Sequence, residues 1–538
     1  MSNRRERQRS PLRTVHAGVL TPAFIICLSF ALYAGLLAAT FDWELLDHHL
    51  FRQAQTATAI RELMRDGPWL AYRIPVLGPP WTVPFEFPLY QIISAKIAGL
   101  LELEARHGGR MVAAVSGALC VAALARLAYL LSATRLQIVT ISLVFGLSPM
   151  MIYWSNAVMI ETFALAASLV MTVCACEYLY RDRVWALAGG TLAAICAALA
   201  KSTTFGLYLL FVFALFSIEF LRVAWFGFAF RRSAIKGLAE HFFQRVLAGV
   251  FLLGPALLIG YAYVDFADRV KTQSVLTGWL TSANLSQWNF GGSRLESLRP
   301  IVHDFYAGQP PVLVEALGVL GPVLLALAAM GLLAAGPRYW LRAGGLGLGF
   351  LSGPLIFANL YMVHNYYWVA VLPFGAAFIA LGLERLIALV ARLARRAGLP
   401  VGRRRHGVLF AVFALTFAGS SAITMKTFFL DPPTAYRAGL MGAAEAVRAH
   451  TEPDDIVHAF GLTWSPALQY FMDRRAVMGT HAGDLTVTYA LEQGLEPAAL
   501  VLCESQKSKL DEYTATPLFA GSWQLVAENP LCQTYVRG

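Results

Sequence analysis

Charge is scarce in this chain. Asp, Glu, Lys and Arg make up 14% of its 538 residues, against 57% hydrophobic and 12% aromatic. A soluble protein of this length cannot hide so much apolar surface, and a disordered one needs the opposite balance. No internal repeat of fixed period is present, which removes the solenoids. Basic residues do not interleave with aromatics, so the net charge of +10 does not point to nucleic acid. The first apolar stretch, Ala17 to Thr40, exceeds a signal-peptide core and lacks a convincing small-residue cleavage site, so a retained span is expected. What remains is a multi-span membrane protein.

The basic residues that are present fall between apolar runs. They are Arg4, Arg5, Arg7, Arg9 and Arg13; Arg181 and Arg183; Arg231, Arg232, Lys236 and Arg245; Arg338 and Arg342; and Arg392, Arg395, Arg396, Arg403, Arg404 and Arg405. Eleven spans are expected near 17–40, 110–133, 136–155, 160–180, 184–200, 203–222, 246–264, 313–335, 343–361, 366–391 and 407–427. With the amino terminus (1–16) cytoplasmic, this count puts every cluster on the cytoplasmic side, as loop charge requires. The odd number places residues 431–538 outside, beyond a membrane domain of 17–430 with outer loops near 41–109 and 265–311.

In the first outer loop, Gln55–Asp66 reads as a short helix, and Phe87–Leu101, about fifteen residues with Gln91 and Lys96, as an interfacial helix. The second, with Trp279, Trp288, Asn289, Gly291, Gly292, Arg294, Arg299, His303 and Asp304, is long enough to be a lid or ligand wall. In 431–538, helices at Tyr436–Ala449 and Ser465–Met472 alternate with strands at Asp455–Phe460, Ala499–Cys503, Gln524–Glu528 and Thr534–Val536, which predicts a small α/β domain. Cys27, Cys120, Cys174, Cys176 and Cys196 lie in spans as small apolar residues, whereas Cys503 and Cys532 lie in the exported domain, where a disulfide is plausible.

Polar residues gather where spans meet the outer face. Asp47-His48-His49-Leu50-Phe51-Arg52-Gln53-Ala54-Gln55 follows the first span, and Glu161 opens the fourth after Tyr153-Trp154-Ser155-Asn156. Lys201-Ser202-Thr203-Thr204 separates the fifth and sixth, and His364-Asn365-Tyr366-Tyr367 the ninth and tenth. Trp154, Tyr366 and Tyr367 also suit an interfacial belt, and a lone lysine at a span end often snorkels to headgroups. An acid such as Glu161 in apolar surroundings is costly without a partner or a function. Together these residues suit an anion carried on a lipid.

That set resembles the GT-C superfamily of integral membrane glycosyltransferases (family 39-like), in the branch of the protein O-mannosyltransferases and the lipid A aminoarabinose transferase. In that family an acid follows the first span; Asp47 matches it, with His48 in place of the usual second acid and Asp42 or Glu44 as alternates. Glu86-Phe87-Pro88-Leu89-Tyr90 resembles the proline-rich segment before the interfacial helix, without its frequent lysine. Glu161 and Lys201 resemble the acid of the second outer loop and the lysine ending the fifth span. The resemblance implies inverting transfer of a sugar from a polyprenyl-phosphate donor to a lipid, glycan or protein hydroxyl on the periplasmic face of a bacterial inner membrane. Asp47 is then the base, with Glu161 beside it as a second catalytic acid that orients the reactants. Arg52, Gln53, Gln55, Glu86, Lys201, His364, Tyr366 and Tyr367 then hold donor phosphate and sugar. The resemblance fixes no cofactor; a divalent cation is compatible with the acids, although no Asp-x-Asp signature falls on this face. The competing readings are a flippase of a lipid-linked saccharide, which would carry ionisable residues near mid-membrane on both access paths, and a polysaccharide polymerase or ligase, which would need more arginines than Arg269, Arg294 and Arg299 in the large loop.

Overall fold

Within the described residues each of the eleven apolar segments is helical over most of its length, as hydrocarbon demands of a backbone that finds no water to bond. The computed structural model describes residues 22–230, 234–290, 294–308, 311–397, 403–430 and 434–538. Arg4, Arg5, Arg7, Arg9, Arg13, Arg231, Arg232, Gly291, Gly292, the first residues of the first expected span and the start of 431–538 lie outside the described residues. So do the side chains of Lys236, Arg294, Arg338, Arg403, Arg404 and Arg405.

The order is α1 Pro22–Ala39, α2 Leu50–Met64, α3 Leu89–Leu100, α4 Ala105–Leu130, α5 Arg135–Gly146, α6 Pro149–Trp154, α7 Glu161–Arg181, α8 Trp185–Ala200, α9 Ser202–Phe230 and α10 Ala234–Lys271. Then come α11 Ser286–Phe290, α12 Arg294–Ala307, α13 Val312–Leu317, α14 Gly321–Leu333, α15 Pro337–Ile356, α16 Ala358–Val363, α17 Leu372–Arg396 and α18 Arg403–Thr424. Among the described residues, seven helices are long and apolar enough to cross a membrane: α1, α4, α7, α17, Ser202–Leu221 in α9, Phe242–Lys271 in α10, and Gly407–Phe429. The chain is a multi-pass membrane protein.

Three expected spans are broken rather than continuous. The third splits where Ser148 caps Pro149 at the start of α6. The eighth splits at Gly318, whose φ of +77° suits glycine, and the ninth at Phe357 between α15 and α16. Small residues let helices approach elsewhere: a Cβ on Gly331 of α14 would lie only 2.1 Å from the Gly382 carbonyl oxygen of α17. At one end of the bundle Arg126 and Arg183 pair with Glu177, and Arg245 with Asp182. The opposite helix ends carry the polar residues singled out above.

The first outer loop departs from its expected form at its start, since α2 begins at Leu50, five residues early. Helix α3 has 12 residues, too short to cross. Arg110, fully buried in α4, donates to the carbonyls of Thr40, Trp43 and Glu44 and so fixes the chain leaving α1. The second loop is also more ordered than its reading, with α10 continuing to Lys271 and with α11 and α12 inside it.

Beyond α18 the chain forms α19 Ala435–His450, β1 Ile456–Phe460, α20 Pro466–Met472, β2 Arg475–Gly479, α21 Leu485–Glu492, β3 Ala499–Cys503, α22 Leu510–Thr514, β4 Trp523–Glu528 and β5 Cys532–Arg537. The strand order is β2-β1-β3-β5-β4, parallel across the first three and antiparallel beyond. Cys503 and Cys532 face each other across β3 and β5 and are disulfide-bonded. The exposed edge, β2, is covered by the first outer loop: Ala476 and Met478 donate to the carbonyls of Pro75 and Val76. Arg65 forks onto Asp473 at 2.6 and 2.9 Å, with Arg61 3.2 Å away. Leu45, Ile60, Tyr72 and Val76 of the loop share one apolar core with Leu440, Val457 and Leu468 of the sheet domain. The two regions therefore pack as a single body over the polar ends of the spans.

Candidate functional site

The polar loop after α1 divides in two directions at His49, whose backbone is left-handed (φ +53°). Such a conformation costs roughly 1 kcal/mol in a residue with a Cβ. It turns Asp47 toward the sheet domain and His49 and Arg52 toward the span ends. Asp47 accepts from the backbone N–H (3.2 Å) and hydroxyl (3.3 Å) of Thr434 and lies 3.3 Å from Arg437 Nε. Glu44 instead pairs with Arg106 at 3.1 Å, and Asp42 is exposed. Of Asp42, Glu44 and Asp47, it is Asp47 that lines the cavity beneath the sheet domain.

Lys201 interrupts the helical run between α8 and α9, and its Nζ donates to Glu161 Oε1 at 2.5 Å. Both side chains are buried, at 7% and 3% exposure. The same Nζ sits 3.9 Å from the ring centre of Tyr367 and 4.8 Å from that of Tyr366, a cation–π arrangement. Glu161 is the first residue of α7, where the helix dipole favours a carboxylate. Arg52 reaches the same surface from α2, oriented by Gln55, which accepts from its Nη1, and by Glu86 at 3.7 Å. Burial opposes charge on Arg52, but Glu86, Tyr366 and Glu161 outweigh it and raise its pKa, so it stays cationic. His364 stacks on Tyr366 at 5.1 Å. Arg52, Gln55, Glu86, Glu161, Lys201, His364, Tyr366 and Tyr367 therefore do converge.

Gln53 does not join them. It is fully buried, its amide donates to the carbonyls of Leu46 and His48, and its oxygen accepts from Val158 N–H, so it braces the loop with both N–H groups taken. Asp47 is engaged by Thr434 and Arg437 and makes no hydrogen bond or ion pair with Glu161 or Lys201 among the described residues.

Three further residues complete the picture: His49 and Asn365, which the sequence shows only as members of polar stretches, and Glu315, which it does not single out. His49 Nε2 lies 2.8 Å from Asn365 Oδ1, and the Asn365 amide donates to both oxygens of Glu315 at 2.9 and 2.8 Å. Glu315, at the start of the eighth apolar segment, is 2% exposed, and no cation pairs with it among the described residues. A buried acid in an apolar run was the available signal. Burial lowers His49 to about 4 against the opposing Asn365 bond, and lowers His364 to about 3, so both imidazoles are neutral near pH 7. Three buried atoms facing this cluster lack a hydrogen-bond partner among the described residues: Glu161 Oε2, Trp154 Nε1 and His364 Nδ1.

A cavity of about 420 Å³ opens where the loop meets the sheet domain, lined by Asp47, His49, Phe51, Tyr436, Thr463 and Glu504 among others. Beside it Phe51, Phe85 and Trp279 contact Trp464, at 4.7, 5.9 and 6.0 Å between ring centres. No group of three or more His, Cys, Asp or Glu is placed to hold a metal ion among the described residues.

Neither a protein-family model nor a curated protein sequence matches the chain. Solved structures do. ArnT from Cupriavidus metallidurans bound to undecaprenyl phosphate is similar with a TM-score of 0.58 at 14% identity, over 97% of this chain and 98% of that one. Its apo state gives 0.56 at 13%, over 95% and 97%. The Archaeoglobus fulgidus oligosaccharyltransferase tethered to an acceptor peptide gives 0.50 at 12%, over 96% of this chain and 74% of that one. The likeness spans membrane helices and sheet domain together, and the fold is GT-C.

Proposed function

We propose that this GT-C chain is an inverting glycosyltransferase that moves a sugar from a polyprenyl-phosphate donor to an acceptor hydroxyl. The observation that carries the proposal is the convergence of Arg52 and Lys201 on the Tyr366–Tyr367 face at the ends of the spans. A leaving phosphate needs charge neutralisation more than a proton, and the buried Lys201 with the half-buried Arg52 supplies it. The shared fold with a protein that binds undecaprenyl phosphate supports a lipid donor. Glu161, Glu86 and Gln55 hold the cations and, with His364, offer acceptors to the sugar hydroxyls, and Trp154 Nε1 offers a donor.

The acceptor enters the cavity under the sheet domain, so the sugar lies between it and the phosphate. Asp47 is the base the sequence points to; with three contacts it keeps one lone-pair direction for the hydroxyl. His49 is the other proton acceptor on that wall. The aromatic cluster at Trp464 suits an acceptor with an apolar or ring-shaped face. The acceptor is a lipid, a glycan or a protein. The arginines at the opposite bundle end support placement of the site on the periplasmic side of a bacterial inner membrane.

The test is turnover of undecaprenyl-phosphate monosaccharides by purified protein in lipid. Asp47→Asn separates a base from a wall residue: a base loses about 100-fold or more in kcat while undecaprenyl phosphate binding stays intact. Near-normal turnover would remove Asp47 from the base role.

A further inference from the structure

The cavity wall holds a proton acceptor better prepared than a carboxylate already engaged with Arg437. Asn365 Oδ1 can only accept, so the bond between it and His49 Nε2 requires the hydrogen on Nε2. The other end of Asn365 is fixed too, because its amide nitrogen donates to both oxygens of Glu315. The chain Glu315–Asn365–His49 thus sets the imidazole tautomer from a buried acid outward, leaving a lone pair on His49 Nδ1. That atom makes no hydrogen bond among the described residues, and His49 lines the cavity.

Three aromatic rings hold the imidazole in place. Trp154, His364 and Tyr366 surround it at 5.9, 5.3 and 4.8 Å between ring centres. Its backbone sits at φ +53°, a conformation that stays populated only when the surroundings over-determine it.

We propose that Glu315, Asn365 and His49 form a proton-accepting relay for the acceptor hydroxyl, with His49 Nδ1 as the atom that takes the proton. The step balances simply, and it rests on the transferase reading above. The acceptor oxygen bonds to the anomeric carbon, the bond from that carbon to the phosphate oxygen breaks, and the electron pair leaves with the phosphate. The hydroxyl proton passes to Nδ1, and the imidazolium keeps its Nε2–H on Asn365. Glu161 favours that cation electrostatically, while Arg52 and His48 oppose it and His364 faces it uncharged. Asp47 then holds the wall to the sheet domain through Thr434 and Arg437.

The relay differs from a structural prop in what its loss changes. His49→Ala and Asn365→Leu are assayed on undecaprenyl-phosphate monosaccharides, scoring released undecaprenyl phosphate, with binding of undecaprenyl phosphate alone measured in parallel. The relay predicts that His49→Ala loses at least 100-fold in kcat and Asn365→Leu at least 10-fold, with affinity for undecaprenyl phosphate within about 3-fold of the parent. Glu315→Gln still accepts from Asn365 and is expected to lose less than Glu315→Leu. The parent kcat falls as pH drops from 6 toward 4, and that fall disappears from the residual rate of His49→Ala. A His49→Ala protein that keeps kcat within about 3-fold, or keeps the parent's acid limb, overturns the relay while leaving the transferase reading in place. A parent that binds undecaprenyl phosphate yet releases none from any donor overturns both.

Discussion

At the scale of single residues, the Glu161–Lys201 pair shows what burial does to charge. Each partner is tolerable in an apolar surround only because of the other, so removing one strands the other. Lys201→Met is expected to lower stability by about 3–5 kcal/mol, and Lys201→Met with Glu161→Gln by clearly less; thermal unfolding in a fixed detergent measures both. Catalysis follows a different order, because the double variant still lacks a cation for the phosphate. The histidines give a second prediction. His49 and His364 have folded pKa values of about 4 and 3, below the ordinary 6.5. The unfolded chain therefore binds protons first on acidification, and their contribution to stability, present above about pH 6.5, is lost as pH falls toward 4. Melting temperature should decline across that window, and less steeply in His49→Gln. Arg52, Glu161 and Lys201 were legible from sequence because a charge beside an apolar run has few purposes. Glu315 was not, since it lies inside the run and its partner Asn365 is 50 residues away.

At the scale of elements, the apolar runs were readable but their interruptions were not. A hydropathy window sums over about 19 residues and cannot resolve a break such as Ser148–Pro149 or Gly318. The short β2 and α21 went unread for the opposite reason: Arg475–Gly479 is five residues whose strand character comes from pairing with β1 and with Pro75–Leu77. Helix contacts yield a sharp expectation. Gly331→Val drives a side chain into the Gly382 backbone, where no rotamer change relieves it. Loss of folded protein on gel filtration is expected, whereas Gly344→Ala, with open space around it, should behave as the parent. The disulfide closes a separation of 29 residues, and Cys503→Ser should cost the sheet domain about 2–4 kcal/mol, seen as faster hydrogen exchange in β3 and β5.

At the scale of the whole molecule, the sheet domain reads from sequence as an appended unit, whereas it packs into the first outer loop. Pro75–Leu77 extends its sheet, Arg65 grips Asp473, and Asp47 meets the first turn of α19 at Thr434 and Arg437. That packing makes the roof of the cavity, so Arg437→Ala is expected to loosen α19 and raise the acceptor KM several-fold more than it lowers donor binding. Such coupling was invisible in sequence because it joins residues about 390 positions apart, and no local pattern encodes it. The whole-molecule account stands on one reaction. Purified protein in lipid, given undecaprenyl-phosphate monosaccharides and a cell-envelope extract as acceptor, should release free undecaprenyl phosphate in step with glycosylated product, and Lys201→Met should lose nearly all of that release. Translocation of the lipid-linked sugar across the bilayer without release of undecaprenyl phosphate would contradict the account.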